Sequence, residues 1–240
     1  MIRIPKSIHP CPIIDAISEI RFNPSTDPDA VYGVLFSAFR RNFSVTEKLP
    51  ITQIPQEIRE SDGSLFWQPH YRMKNDDFVI QIGPRVISVG VRNEYCGWNA
   101  FQSAISDVVD EFRKTEVAEE INRVSVRYVN FFQGDNIYEN LRIKIQSTDE
   151  IGDLSQNSLN LQSELLGEDK QASKLTITNS AAVNRDGKSH RGSVIDIDVM
   201  DSSATLDDLK EKIERVHEKE KELFFSLLKQ EFVDTLNPTY

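Results

Sequence analysis

Asn122-Arg-Val-Ser-Val-Arg-Tyr-Val-Asn-Phe-Phe132 is the stretch on which the reading of this fold turns. It is rich in Val, Tyr and Phe and holds no Gly or Pro, so it predicts a strand. Side chains alternate along a strand. Val124, Val126, Tyr128, Asn130 and Phe132 therefore share one face, and Arg123, Ser125, Arg127, Val129 and Phe131 the other. Both faces are mixed, which predicts a central strand covered or part-covered on both sides. An Arg in such a strand needs a partner, because an unpaired buried charge is costly. Arg127 is read either as half of a structural ion pair to an acidic helix or as part of a polar pocket. In the pocket reading, Arg85, Arg92 and Arg127, with Tyr128 and Asn130, face an anionic ligand.

Upstream, residues 13–22 read as a strand entered from His9-Pro-Cys-Pro12, where two prolines oppose a helix. Asp27–Pro28 has the chemistry of a helix start, and Val31, Val34, Leu35, Ala38 and Phe39 follow at helical spacing. Four β-like runs come next, at 51–59, 65–72, 78–82 and 86–92. Gly83–Pro84 marks a tight hairpin between the last two. Trp98, Phe101, Ile105, Val108 and Phe112 step by three and four, so they form one helix face. Downstream, a short helical turn is expected at 136–140, then strands at 142–146, 159–165, 175–179 and 194–200, with a hairpin turn at Asp186–Gly187. A long helix from about 205 to 235 closes the chain, with Asp207 and Asp208 in its first turn.

The two halves thus repeat one order, β-α-β4-α, with a junction near 115–120. The expected fold class is α+β. Two pseudo-repeats, 1–116 and 117–240, form a single domain with one wide, mainly antiparallel curved sheet covered on one face by long helices. Joining the repeats edge to edge removes two exposed strand edges. The order resembles the TATA-binding-protein-like fold. That likeness of architecture does not carry DNA binding with it.

Composition narrows the classes. The chain has 240 residues, with 28 Lys+Arg against 38 Asp+Glu, a formal charge of −10. Residues 1–120 hold 13 basic and 17 acidic groups, and residues 121–240 hold 15 and 21, so neither half is basic. That opposes non-specific nucleic-acid binding, which rests on many cation–phosphate contacts. No apolar run approaches the ~20 residues of a membrane span. The start lacks the apolar core of a secretory leader, so a cytoplasmic protein is expected. Cys11 and Cys96 are read as buried apolar groups in a reducing compartment.

Several phrases resemble a sporadically distributed, uncharacterised family of prokaryotic proteins of about this length. They are Pro12-Ile-Ile-Asp-Ala-Ile-Ser-Glu-Ile-Arg-Phe22, Ile82-Gly-Pro-Arg-Val-Ile-Ser-Val89 with Tyr95 and Trp98 after it, Arg123-Val-Ser-Val-Arg-Tyr-Val-Asn130, and His217 followed by Phe224-Phe225. The resemblance implies no activity, cofactor or catalytic residue. Its sporadic distribution implies an accessory or regulatory role in a mobile or defence-type gene cluster.

Other constellations are sparse. Asp196 and Asp198 share one face of a strand, as a cation site, an acid–base pair or a wet outer face. His190 lies upstream, in a hairpin with Arg185, Lys188 and Arg191. No close His/Cys pairs indicate a metal, and no nucleophile elbow or Gly-rich phosphate loop is present. In the last helix His217 lies beside the apolar stripe and Glu220 interrupts it. Phe224, Phe225, Leu228 and Phe232 widen the apolar surface there, for packing on the sheet or for a homodimer or partner contact. The expected function is a non-enzymatic protein-interaction or regulatory module that needs no cofactor. The alternative is a small anionic-ligand or nucleotide site between sheet and helices, and nucleic-acid binding ranks last.

Overall fold

The computed structural model describes residues 3–134, 136–145, 158–167, 170–185 and 187–240. The quoted stretch is the middle of β6, Ala118–Gln133, which runs antiparallel to β1, Ile13–Pro24. Among the described residues, these two strands lie at the centre of a nine-stranded antiparallel curved sheet. On the β1 side follow β5 (Val86–Val91), β4 (Phe78–Gly83), β3 (Tyr71–Lys74) and β2 (Val45–Lys48). On the β6 side follow β9 (Lys188–Asp201), β8 (Gln171–Arg185) and β7 (Asn160–Leu166).

Alternation decides which face is covered. Ala16, Ile20 and Phe22 of β1 share a face with Val124, Val126 and Tyr128 of β6 and with Ile195, Ile197 and Val199 of β9, and all are buried. Helices α1 (Pro28–Phe39), α3 (Trp98–Lys114) and α4 (Leu209–Leu227) pack on that side. Asp27 caps α1 by accepting from the Asp29 amide at 2.9 Å, with Pro28 in the first turn. Phe101, Ile105, Val108 and Phe112 of α3 are buried, and Phe112 meets Phe22 edge-to-face at 5.1 Å between centroids. The opposite face of the central strands displays Asp15, Glu19, Arg123, Arg127 and Asp196.

Where β6 passes β9, Gln133 is opposite Gly192. A Cβ on Gly192 would stand 2.1 Å from the Phe132 carbonyl oxygen, so this approach of two backbones requires glycine. At the tip of the β8–β9 hairpin Arg185 is opposite Lys188, and Gly187 adopts φ +73°. Asp186, expected in that turn, lies outside the described residues.

Several elements depart from expectation. Residues 51–59 are not a strand: Pro50–Gln53 forms a 3-10 turn and Gln56–Ser61 forms α2. Pro50 and Pro55 stand at the starts of these two turns, where a fixed φ and a missing N–H are tolerated. The first strand of the meander is β2 instead, and its Glu47 reaches Arg72 at 2.9 Å and Lys74 at 3.1 Å on β3. The run at 65–72 contributes only its end to β3, after Pro69.

In the second half β6 is followed by a 3-10 turn, Ile137–Asn140, and by three strands among the described residues, not four. The expected strand at 142–146 is absent over 142–145, and Gln146 lies outside the described residues. The backbone there is engaged elsewhere: Leu141 bridges Leu228, and the Arg142 amide donates to the Leu227 carbonyl at 2.8 Å. The last helix is also divided. α4 ends at Leu227, Leu228 and Lys229 are extended, and α5 covers Gln230–Thr235. Both cysteines, expected inside, are free and exposed, in connecting segments.

Candidate functional site

Tyr128 projects from β6 beneath α4 and is 2% exposed. Its hydroxyl lies 3.1 Å from Nδ1 of His217 and 3.3 Å from the Tyr95 hydroxyl. His217 stands on the sheet-facing stripe of α4 with Ile213, Val216, Phe224 and Leu227, so it is buried rather than set beside the stripe. Trp98, the first residue of α3, stacks on the imidazole with centroids 3.5 Å apart and planes 8° from parallel. The indole is held in turn: its Nε1 donates to Glu214 of α4 at 3.2 Å, and Gln102 donates to the same carboxylate. Gly97 precedes α3 at φ +85°, a left-handed conformation that glycine adopts without strain.

Glu220 follows His217 by one turn of α4 and is 4% exposed. Among the described residues no hydrogen-bond donor reaches its carboxyl group. The group lines a cavity of about 650 Å³ between β6, α4, the start of α3 and residues 6–13. Tyr95, Trp98, Tyr128, Asn130 and His217 line the same space, and Phe224 and Phe225 supply apolar wall.

Burial sets the protonation of this cluster. Desolvation pushes the Glu220 carboxyl up to about 8, so it holds its proton at neutral pH. Desolvation, with the nearby Lys221 charge second, pushes His217 down to about 3, so the imidazole is neutral. Burial also raises both Tyr95 and Tyr128. The neutral His217 shares one hydrogen bond between Nδ1 and the Tyr128 hydroxyl, Tyr128 and Tyr95 share a second, and Nε2 lies 3.8 Å from Glu218 Oε1. The cavity is therefore lined by four ionisable groups that are uncharged together.

The other face of β6 is built from charges. Arg127 grips Asp196 through two hydrogen bonds, Nε to Oδ1 at 2.8 Å and Nη2 to Oδ2 at 2.6 Å. The partner stands on a neighbouring strand, not on an acidic helix as the ion-pair reading expected. The Asp196 hydrogen bonds hold Arg127 above the ordinary range. Asp198, directly opposite Arg127 in the ladder, is raised by burial. Arg123 donates to Glu19 at 2.8 Å, and Glu19 also accepts from Arg21 at 2.7 Å.

The residues singled out from sequence fall into separate places. Arg127, Asp196 and Asp198 come together on the open face. Tyr128 and Asn130 point the other way, into the cavity. Arg85 and Arg92 flank opposite ends of β5, roughly 20 Å apart at strand rise. Arg85 sits over the Phe66 ring at 4.7 Å, and Arg92 donates to the Asn75 carbonyl at 2.6 Å. Arg92 lines a smaller open-face hollow of about 310 Å³ with Asp15, Arg72 and Lys74. His190 stands opposite Val183, six residues along β9 from Asp196. The three arginines therefore do not converge on one ligand.

Phe224, Phe225 and Leu228 are buried in the protein's own core, and Phe232 packs against Phe132 at 5.6 Å. Among the described residues no group of three or more His, Cys, Asp or Glu side chains is placed to hold a metal ion. No helix of the described residues is long and apolar enough to cross a membrane. Glu220 was visible in the sequence as a break in an apolar stripe, which is the signal that locates the cavity. No family model matches the chain, and no curated protein matches it.

Proposed function

We propose that this chain is a small-molecule-binding protein whose site is the cavity between β6 and α4. One observation carries the reading: the Glu220 carboxyl is buried against that cavity with no donor from the described residues. Its oxygens open onto the cavity, and a carboxyl group with no protein donor at a cavity wall fits a group that meets a ligand. The cavity volume falls in the range of ligand pockets, and its lining mixes apolar rings with a few convergent polar groups. The reading keeps the ligand site between sheet and helices that the sequence offered as its alternative, and drops the arginine cluster. The aromatic residues once available for a partner contact are largely occupied by the fold, which weakens the interaction-module reading.

Two exposed thiols fit a cytoplasmic setting. The sheet order places the first strand of each half centrally, beside the last strand of its own meander, which supports reading the halves as pseudo-repeats.

The test is a thermal-shift screen of chemically diverse fragments. Cys11 and Cys96 both line the cavity, so their alkylation rates report occupancy without a variant. Compounds that raise Tm and slow alkylation of both thiols support the reading. A broad screen in which no compound does either would reject it.

A further inference from the structure

Resting on that reading, we infer that the cavity takes a cationic amine with an apolar body, its ammonium group donating to the Glu220 carboxylate. The geometry selects the class. Glu220 is a buried acid whose oxygens lack a donor among the described residues, and an ammonium brings donors and charge together. The rings of Tyr95, Phe224 and Phe225 line the same cavity, and an aromatic lining suits a cation with an apolar skeleton. The hydroxyls of Tyr95 and Tyr128 hydrogen-bond to each other, and Tyr128 also pairs with His217, so those groups are already partnered. An anionic compound could accept from the protonated carboxyl group, but its charge would be left without a buried cation, since Lys6 is exposed and Lys221 half-buried.

Binding then has a proton balance that can be measured. The empty site holds Glu220 protonated at neutral pH, and an ammonium stabilises the carboxylate. The carboxyl O–H bond breaks, its proton passes to the buffer, and the ammonium keeps all of its own protons. The remaining groups that face the cavity do not supply that proton. His217 is already neutral, and burial raises both tyrosines and the Cys96 thiol away from ionisation. Lys6, Glu218 and Lys221 belong to the more exposed part of the lining, and Cys11 is exposed.

The experiment uses three matched probe sets, arylalkylamines and the corresponding alcohols and carboxylates, titrated calorimetrically at about pH 6.5 in two buffers of different ionisation enthalpy. Amines are expected to bind at least about tenfold tighter than the alcohols, releasing close to one proton per amine. Glu220→Gln, which keeps shape and loses the charge, should weaken amine binding by about a hundredfold and leave alcohols nearly unchanged. Alcohols or carboxylates that bind as tightly as amines, amine binding without proton release, or amine affinity unchanged in Glu220→Gln would each overturn the inference while leaving a ligand site. No binding by any set, with thiol alkylation unaffected, would overturn the inference and count against the cavity as a site. The proton-release measurement is made on the unaltered chain, so it decides even if the variant folds poorly.

Discussion

On its helix side, β6 buries Tyr128 and Asn130 beneath an imidazole and a carboxylic acid; on its open side, the same strand sets Arg123 and Arg127 among carboxylates. The two sides handle polarity in opposite ways. Under α4 the ionisable groups surrender their charge, since desolvation outweighs any available partner. On the open face, Arg127 retains 43% side-chain exposure and Asp196 20%, and the two pair through a two-pronged hydrogen bond. The contrast teaches where a ligand would act. A charged ligand entering the helix side changes a protonation state, whereas on the open side it competes with an ion pair already formed.

The strongest way to break this comparison is to titrate stability. Glu220 has an ordinary value of 4.5 and about 8 in the fold. Across that window the unfolded chain releases the proton that the folded protein keeps, so stability falls as pH rises from 4.5 through 8. His217 acts in the other direction: with 6.5 as its ordinary value and about 3 in the fold, it lowers stability as pH drops from 6.5 through 3. The two slopes offset each other between 4.5 and 6.5, leaving a plateau with losses on either side. Denaturant melts of Glu220→Gln should lose the alkaline arm and gain on the order of 3–5 kcal/mol near pH 8. An unchanged alkaline arm would mean that the helix side does not neutralise its acid.

Next in size is Trp98→Ala, which removes the ring stacked on His217 and the donor to Glu214. The expected loss is about 2–3 kcal/mol. Water admitted to the imidazole should also move the His217 titration upward by NMR. Tyr128→Phe deletes the hydroxyl shared by His217 and Tyr95, and chemical denaturation should show a loss of about 1–2 kcal/mol. The smallest effect belongs to the open face. A double-mutant cycle on Arg127→Ala and Asp196→Ala should give a coupling of about 1 kcal/mol or less, shrinking as salt is added. A coupling that ignores salt would erase the difference between the two sides.

The central features were legible because they rest on local pattern. The alternation of residues 122–132 marked the middle strand, Gly83–Pro84 marked a hairpin, and the spacing from Trp98 to Phe112 marked a helix face. The misses have physical causes. Ile51, Thr52 and Ile54 look β-forming, but the prolines at 50 and 55 favour two short helical turns. The break after Leu227 has no Gly or Pro to announce it. Leu228 is fully buried and bridged to Leu141, so tertiary contact overrides local helix preference. The site was half visible. Tyr128 and Asn130 were singled out, yet with the arginines of the opposite ends and faces. Whether Glu220 interrupts a wet face or a buried one depends on where α4 lies, and no local spacing encodes that.

The central pairing of β1 with β6 has a kinetic consequence. The hydrogen bond from Asn23 to Glu120 spans 97 residues, and that from Tyr128 to His217 spans 89. Such distant closures carry a large entropic barrier before any contact rewards them, so a slow approach to the native state is expected. The cavity wall joins residues 6–13 to residues on α4, so it is complete only once the two ends of the chain have met. An amine held there would pull on the final step of folding alone, trapping finished molecules and ignoring every shorter piece of the chain.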